Sequence, residues 1–521
     1  NAFQAAGIDA LVEPLDARAR FTDEVGPELV GVPVKEADAI IIDLLKASGK
    51  LVRREQINHS YPFCWRTGTP LIYRAIPTWF VKVESFRDRM VERNQDIRWV
   101  PEAVGAKRFG NWLENARDWA ISRNRYWGSC IPVWECESCG ESVCIGSRQD
   151  LFERSGVMVD DLHKHIVDPV TFPCECGAGT MQRVPEVLDC WFESGSMPYA
   201  QMHYPFENQE QFATRYPADF IAEGLDQTRG WFYTLLVLGT AIFDKAPFQN
   251  CIVTGLILAE DGRKMSKSLK NYPDPTGVID EFGGDALRAY LINSPVVRGE
   301  PLRFQEQGVR DVVRTVLLPY WNAFSFFSLY ADADGLTGED LLAAPPLADR
   351  PEIDRWIVSV LQSLLRDVNQ EMEQYRLFAV IPPILDFIDD LTNWYIRRSR
   401  RRFWRQRTDN DADKLAAFAT LHEVLTIFGR IAAPILPFIT EDIYQVLERN
   451  QDPVAAPSIH LTDYPEADET AIDKSLERSM TAVRTVVNLG RRLRRQHDLR
   501  VRQPLATLTV VSRDPAERAA I

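Results

Sequence analysis

The segment that most restricts the fold is the largely apolar run from Ile252 to Leu258, followed by Asp261-Gly262 and then Arg263-Lys264-Met265-Ser266-Lys267-Ser268. A run of this kind reads as a buried strand, and Asp-Gly as the turn that ends it. Both lysines therefore fall on a loop at a strand end, where an open α/β sheet keeps its ligands. Two ammonium groups three residues apart, with small hydroxyls and a flexible glycine, can close over a polyphosphate and neutralise charge on a departing pyrophosphate. A solvated basic turn is the plainer alternative.

A second strand pattern, Phe220 to Ala222, runs into a polar turn with Glu223, Gly224, Asp226 and Gln227, then into the apolar stretch Trp231 to Phe243, which has the length of a buried helix. Carboxylates and an amide at such a strand end can hold an amino group and ribose hydroxyls, and the indoles of Trp191 and Trp231 can wall an apolar pocket. Plain core is the alternative for either tryptophan. The cysteines cluster: Cys136 and Cys139 form one knuckle, Cys174 and Cys176 a second pair. Four thiolates at about 2.3 Å around a tetrahedral ion would close a structural zinc site with no open position. One intervening residue in the second pair leaves Cys144 as a substitute ligand, and metal-free thiols remain an alternative. The intervening stretch, with Gly140, Gly146, Gly156, Gly177 and Gly179, is expected to have little core of its own, so that metal contributes to its folding.

From Gln307 to about Asn450 apolar residues recur at helical spacing, as in Ile384, Ile388, Leu391 and Tyr395. Pro345, Pro346 and Pro351 mark a linker within this region. Seven arginines fall between Arg397 and Arg407, interleaved with Phe403 and Trp404. This is a phosphate-binding composition with aromatics for stacking, or a helix whose arginines pair with acids such as Asp386, Asp389 and Asp390. The run Arg491 to Arg495 has the same two readings and precedes a strand-like Thr507 to Val511. With a formal charge of −14 over 521 residues, the surface as a whole is no nucleic-acid sleeve, and a polyanion must meet local basic patches. The length suits three or four domains. No apolar run of about 18 residues suggests a membrane span. Nine cysteines are too few for a disulfide scaffold and suit a reducing compartment, the cytoplasm.

Several of these stretches resemble class I aminoacyl-tRNA synthetases. The lysine loop carries their KMSKS signature. The wording Glu223-Gly224-Leu225-Asp226-Gln227-Thr228-Arg229-Gly230-Trp231-Phe232 is closer to the isoleucyl family than to its valyl and leucyl relatives. Asp118 to Gly128, by residue type the end of a helix-like structural segment, looks like the return of the chain from an editing insertion. His59 to Arg66 with Thr78 to Val83 resembles the end of that insertion, after a helix around Lys35 to Ser48. Gly283 to Arg288 and Asn393 to Trp404 resemble the family's helix start beyond the loop and its anticodon-binding domain.

The resemblance implies an α/β fold: the second half of a Rossmann-like catalytic core, with a partial β-rich editing insertion, a zinc-binding insertion and an α-helical anticodon-binding domain. The implied domains are 1–85 (editing insertion), 86–310 (catalytic, with the zinc insertion at 130–185 and the KMSKS loop at 262–270), 311–480 (anticodon-binding) and 481–521 (the start of a further domain). Glu223, Gly224, Asp226, Gln227 and Lys267 would contact ATP or the aminoacyl-adenylate, and Lys264 and Lys267 would serve catalysis. Trp191 and Trp231 would line an isoleucine pocket; Cys136, Cys139, Cys174 and Cys176 would hold structural Zn²⁺; Arg397, Arg398, Arg401 and Trp404 would meet tRNA. The implied reaction takes L-isoleucine and ATP with Mg²⁺ to isoleucyl-adenylate, then to charged tRNA(Ile), with editing of misactivated valine by the whole enzyme, as a monomer and with no membrane partner. A valyl or leucyl enzyme, or a non-catalytic tRNA-binding relative, is the alternative. The family's His-x-Gly-His signature is absent from the seven histidines. In the family it precedes the editing insertion, so both ends of this chain read as cuts through a longer protein, and the chain alone is expected to be inactive in adenylation.

Overall fold

The computed structural model describes residues 13–16, 18–64, 67–74, 76–266, 270–408 and 411–520. The chain forms two compact units, one of Asn1–Val81 with Trp119–Leu188, the other of Lys82–Asp118 with Asp189–Ile521. These compact units are not the sequential domains implied by the resemblance.

The larger unit is built on three parallel strands in the order Ala218–Gly224, Phe248–Thr254, Arg98–Val100. Phe248, Cys251 and Val253 of the central strand are fully buried, as expected where both faces of a parallel sheet are covered. The helix Trp231–Phe243 is the crossover between the first two strands, and its apolar character all round matches its burial from Phe232 to Thr240. The short helix Cys190–Gly195 packs onto it so closely that a Cβ on Gly195 would lie 3.0 Å from the Thr234 carbonyl oxygen.

The run Ile252 to Leu258 is not one strand. The central strand stops at Thr254, because a Cβ on Gly255 would sit 1.8 Å from the carbonyl oxygen of Glu300, and only glycine passes that backbone. A separate short strand, Ile257–Leu258, then pairs in parallel with Leu302–Arg303.

Beyond it the unit is helical. Leu318–Ala333, Glu352–Glu373, Ile381–Asp389, Arg397–Trp404, Ala412–Ala432, Pro437–Tyr444 and Lys474–Gln496 surround a core that includes Tyr320, Trp356, Phe387, Phe418 and Phe428. Ile384, Ile388, Leu391 and Tyr395 lie in that core, as their spacing predicts. Ala412–Ala432 is long and apolar enough to cross a membrane by composition alone, but 67% of its apolar window is buried inside the bundle. Two polar clamps tie the bundle to what precedes it, one from the sheet and one from the helix Gly284–Ile292. Arg98 donates to the carbonyls of Glu373 and Gln374 at the end of a bundle helix, at 3.4 and 2.9 Å. Asp285 accepts from the amides of Phe438 and Ile439 at 3.2 and 2.8 Å, capping Pro437–Tyr444. Thr507 to Val511 is irregular rather than a strand; Leu508 and Val511 are exposed, and among the described residues no neighbouring strand edge is there to complete its hydrogen bonds.

In the smaller unit the stretch after Asp118 is not helical. Trp119–Ala120 pairs with Phe80–Val81, and Ser122–Arg123 pairs with Val187–Leu188, both antiparallel. The helix expected around Lys35 to Ser48 spans Asp38–Ala47. The cysteine-bearing stretch folds as a four-stranded antiparallel sheet in the order Ser142–Cys144, Val133–Cys136, Thr180–Arg183, Phe172–Pro173. Contrary to expectation it has a core of its own, with Trp134, Leu151, Val167, Val170, Phe172 and Met181 buried together. The Trp134 indole donates to the Val170 carbonyl at 2.8 Å, which satisfies the one polar atom of that side chain.

Candidate nucleotide, metal and RNA sites

The register Gly224↔Thr254 brings two strand ends side by side. One carries the turn Leu225–Arg229; the other leads, through Gly255, to the lysine loop. Glu223 and Asp226 are exposed on this rim. A Cβ on Gly224 would sit 2.7 Å from Asp226 Oδ1, so the backbone there must be bare for the carboxylate to fold over it. Gln227 Oε1 accepts from the Trp231 amide at 3.1 Å, which ties the turn to the start of the crossover helix. The Trp191 ring lies against Gly230, where an added Cβ would be 3.1 Å from it, and the Trp231 indole donates to Ser194 O at 3.0 Å. Asp189, a buried residue that sequence reasoning passed over, caps the helix that carries Trp191 by accepting from its amide at 3.3 Å.

The expected turn is present at Asp261-Gly262. Gly262 has φ of 82°, in the region that favours glycine, and its amide donates to Ala259 O at 2.8 Å. Asp261 accepts from the Arg263 amide and guanidinium at 2.9 and 2.7 Å, and these contacts hold its carboxyl below the usual range. Lys264 is exposed and pairs with Leu258 across the hairpin. Lys267 lies outside the described residues. Asn271, another residue missed from sequence, clamps the loop on both sides: its Oδ1 accepts from the Ser266 amide at 2.9 Å and its Nδ2 donates to Lys264 O at 3.1 Å. A cleft of about 570 Å³ opens beside it, lined by Glu260, Met265, Lys270, Asn271, Tyr272 and Phe304 among others. Asn271→Ala is expected to speed amide exchange across 262–270 several-fold while changing global stability by about 1 kcal/mol or less. Unchanged exchange in that loop by mass spectrometry would refute the clamp.

Cys136, Cys139, Cys174 and Cys176 converge, with all four sulfurs within 4.8 Å of one another. Cys136–Cys176 and Cys139–Cys174 are each 3.8 Å apart. A tetrahedron with bonds of about 2.3 Å has edges of about 3.8 Å, so these two pairs already have the spacing that a tetrahedral divalent ion requires. Amides of Ser138 and Cys176 point at Cys136 and Cys174 sulfurs, at 3.4 and 3.5 Å. Backbone N–H groups of Cys139 and Ser138 pull the Cys136 thiol down to about 7. Cys174 goes the other way, to about 12: the Cys176 amide lowers it, but burial and protons shared with Cys176, Cys136 and Cys139 outweigh that. Cys144 is exposed and outside the cluster. A Cβ on Gly179 would lie 2.5 Å from Cys136 Sγ, which explains the glycine there.

Part of the arginine run pairs with acids, though not with Asp389 and Asp390 as expected, since those two take Arg484 instead. Arg402 grips Asp354 at 2.6 and 2.7 Å, Arg405 pairs with Asp411 and Asp413, and Arg407 pairs with Asp340. Arg397, Arg398, Arg400 and Arg401 are exposed; Arg398 lies 4.4 Å over the Trp394 ring and Arg400 5.8 Å over Trp404. The helix Arg397–Trp404 therefore spends one face on the bundle and leaves a cationic, aromatic face to solvent.

A parallel sheet with carboxylates and an amide at one strand end, a basic hairpin after a separate strand pair, and a helical bundle beyond define an α/β domain with an appended helical domain. The chain belongs to the tRNA synthetases class I (I, L, M and V), whose family model matches residues 12–303, while the model for the anticodon-binding domain of tRNA ligase matches residues 354–510. It is 51% identical over 99% of its length to Isoleucine--tRNA ligase of Treponema denticola, covering 47% of that protein. To Isoleucine--tRNA ligase of Protochlamydia amoebophila it is 50% identical over 99%, covering 48% of it. The chain thus spans about half the length of the curated relatives it matches. Among solved structures, Mycobacterium tuberculosis methionyl-tRNA synthetase in complex with methionyl-adenylate shares the fold at TM-score 0.54 and 16% identity, over 78% of this chain and 70% of that one. The Agrobacterium radiobacter LeuRS-tRNA-LeuAMS complex does so at TM-score 0.50 and 21% identity, over 71% and 47%.

Proposed function

We propose that the chain is a part of an isoleucine-tRNA ligase of the cytoplasm, which activates L-isoleucine with ATP and passes the acyl group to tRNA(Ile). The observation that carries this reading is the register Gly224↔Thr254, which sets the strand end at the Glu223–Gln227 turn beside the end of the strand that leads through Gly255 toward the lysine loop, in a chain half identical to proteins of that name. Glu223, Gly224, Asp226 and Gln227 hold the adenylate's polar groups, and Trp191 and Trp231 wall the amino-acid side chain. Lys264 and Lys267 neutralise the charge that develops on pyrophosphate as it leaves, a task of positioning and electrostatics rather than covalent chemistry. Mg²⁺ accompanies ATP and supplies further charge neutralisation. The four clustered thiols hold a structural Zn²⁺, and Arg397, Arg398, Arg401 and Trp404 meet tRNA.

Amino-acid-dependent ATP–pyrophosphate exchange on the chain extended upstream tests this, with isoleucine, valine and leucine compared and Lys267→Ala as control. Exchange favouring isoleucine and lost in the variant is expected. Preference for another amino acid would reassign the substrate, and a folded, tRNA-binding protein without exchange would refute catalysis.

A further inference from the structure

Two arginines at the sheet rim have no part in the roles assigned so far. Arg108 lies on the helical turn Val104–Phe109, which follows the strand Arg98–Val100; Arg229 ends the turn Leu225–Arg229, which follows Ala218–Gly224. Arg108 Nε donates to the Thr228 hydroxyl at 3.4 Å, and that hydroxyl donates on to Leu225 O at 2.9 Å. The Arg229 guanidinium lies 4.7 Å over the ring of Trp112, one turn of chain beyond Arg108. The two side chains therefore cross the same junction in opposite directions, each from its own segment to a partner on the other. Both are exposed, as is Lys107 beside them.

Their partners carry no charge. Many guanidinium groups of this acidic protein are met by carboxylates, as at Arg402, Arg405, Arg407, Arg430 and Arg484. Arg108 and Arg229 are held instead by a hydroxyl and an indole, which fix direction without cancelling charge. A guanidinium oriented by neutral groups keeps its other N–H donors and its whole charge for an anion, and its fork matches phosphate oxygens.

We propose that Arg108 and Arg229 form a phosphate-binding pair beside the Glu223–Gln227 turn. It grips either the sugar-phosphate of an RNA end arriving at the strand ends or the phosphates of a nucleotide bound there. The proposal rests on the reading of the chain as a tRNA ligase. As positioning residues for a phosphate, the pair acts by charge and fork geometry, with Lys107 adding field.

The test compares the 521-residue chain with R108Q/R229Q and R108K/R229K, measuring binding of a fluorescent acceptor-stem RNA hairpin across a salt series and, in a separate arm, binding of ATP. With Gln the RNA affinity is expected to fall and the slope of log K against log salt to flatten by about 0.7–0.9 for each phosphate no longer neutralised, and Lys restores most of the slope. Loss of ATP binding with RNA binding unchanged would assign the pair to the nucleotide. If the unaltered chain bound neither RNA nor ATP, the pair would have no phosphate to hold in this chain and the proposal would be overturned, while the ligase reading is decided separately by pyrophosphate exchange on the upstream-extended chain. If it bound and the Gln variant matched it in both arms, or differed only in melting temperature, the pair would be structural and the proposal overturned.

Discussion

Asp354→Ala is expected to destabilise the helical bundle by about 3–5 kcal/mol, the range for removing one partner of a buried ion pair. Asp354 has no exposed surface. Its two oxygens take both terminal nitrogens of Arg402, at 2.6 and 2.7 Å, and the Tyr395 hydroxyl at 3.0 Å. Burial first, and then the Asp354 charge, push the Tyr395 hydroxyl well above its ordinary range, so it remains a donor. Truncating Asp354 leaves a guanidinium 14% exposed with only the Asp413 side chain and carbonyl, and a buried hydroxyl with only a long contact to Ala417 O at 3.4 Å. The second carboxylate on Arg402, Asp413 at 2.9 Å, is 43% exposed and compensates only in part. The exposed pair Arg366–Asp367 provides the contrast, since disrupting such a pair costs about 1 kcal/mol or less. Urea unfolding followed by helical circular dichroism measures both; a loss of less than about 1 kcal/mol for Asp354→Ala would refute the argument. Because the desolvation of the pair is itself costly, Asp354→Leu combined with Arg402→Met should recover much of the loss.

The second large effect concerns the thiol cluster. The chain is expected to purify with one equivalent of zinc that survives gel filtration, since structural sites of this type reach apparent binding free energies of about 10–16 kcal/mol. Cys174→Ser should abolish that equivalent, while Cys144→Ser, whose side chain lies outside the cluster, should retain it. Elemental analysis reads both, and zinc retained by the first variant or lost from the second would sink the assignment. Because the sheet around the cluster has its own buried core, stripping the metal should loosen the knuckles at 136–140 and 174–177 more than the strands. Hydrogen exchange confined to those turns would be the signature. Uniform melting of 130–185 would mean that the core of Trp134 and Phe172 cannot hold without the ion.

How much of this was legible in advance depended on the distance over which each feature is decided. The Asp261-Gly262 turn, the cysteine knuckles and the helical periodicity around Ile384 to Tyr395 are written in residues within one or two turns of one another. Local spacing sufficed to find them. The break at Gly255 was invisible because its cause, the Glu300 carbonyl, lies 45 residues away. The strand pairing of Trp119–Ala120 was hidden for the same reason: its partner is Phe80–Val81. Asn271 follows the lysine loop directly, and an asparagine at the close of a loop was the available signal for the clamp.

The arginine run shows the division most plainly. Its composition by itself determined that a cationic helix with aromatic neighbours exists in an acidic chain, and the loop wording determined the family. Which arginines stay toward solvent was decided only by tertiary structure. Helix geometry turns Arg402 toward Asp354 on another helix and leaves Arg397, Arg398 and Arg401 toward water. A one-dimensional string carries charge and spacing but not the partner that neutralises a charge. The same holds for Arg108 and Arg229, which are 121 residues apart in sequence and come together only where the segments after the two outer strands of the sheet meet.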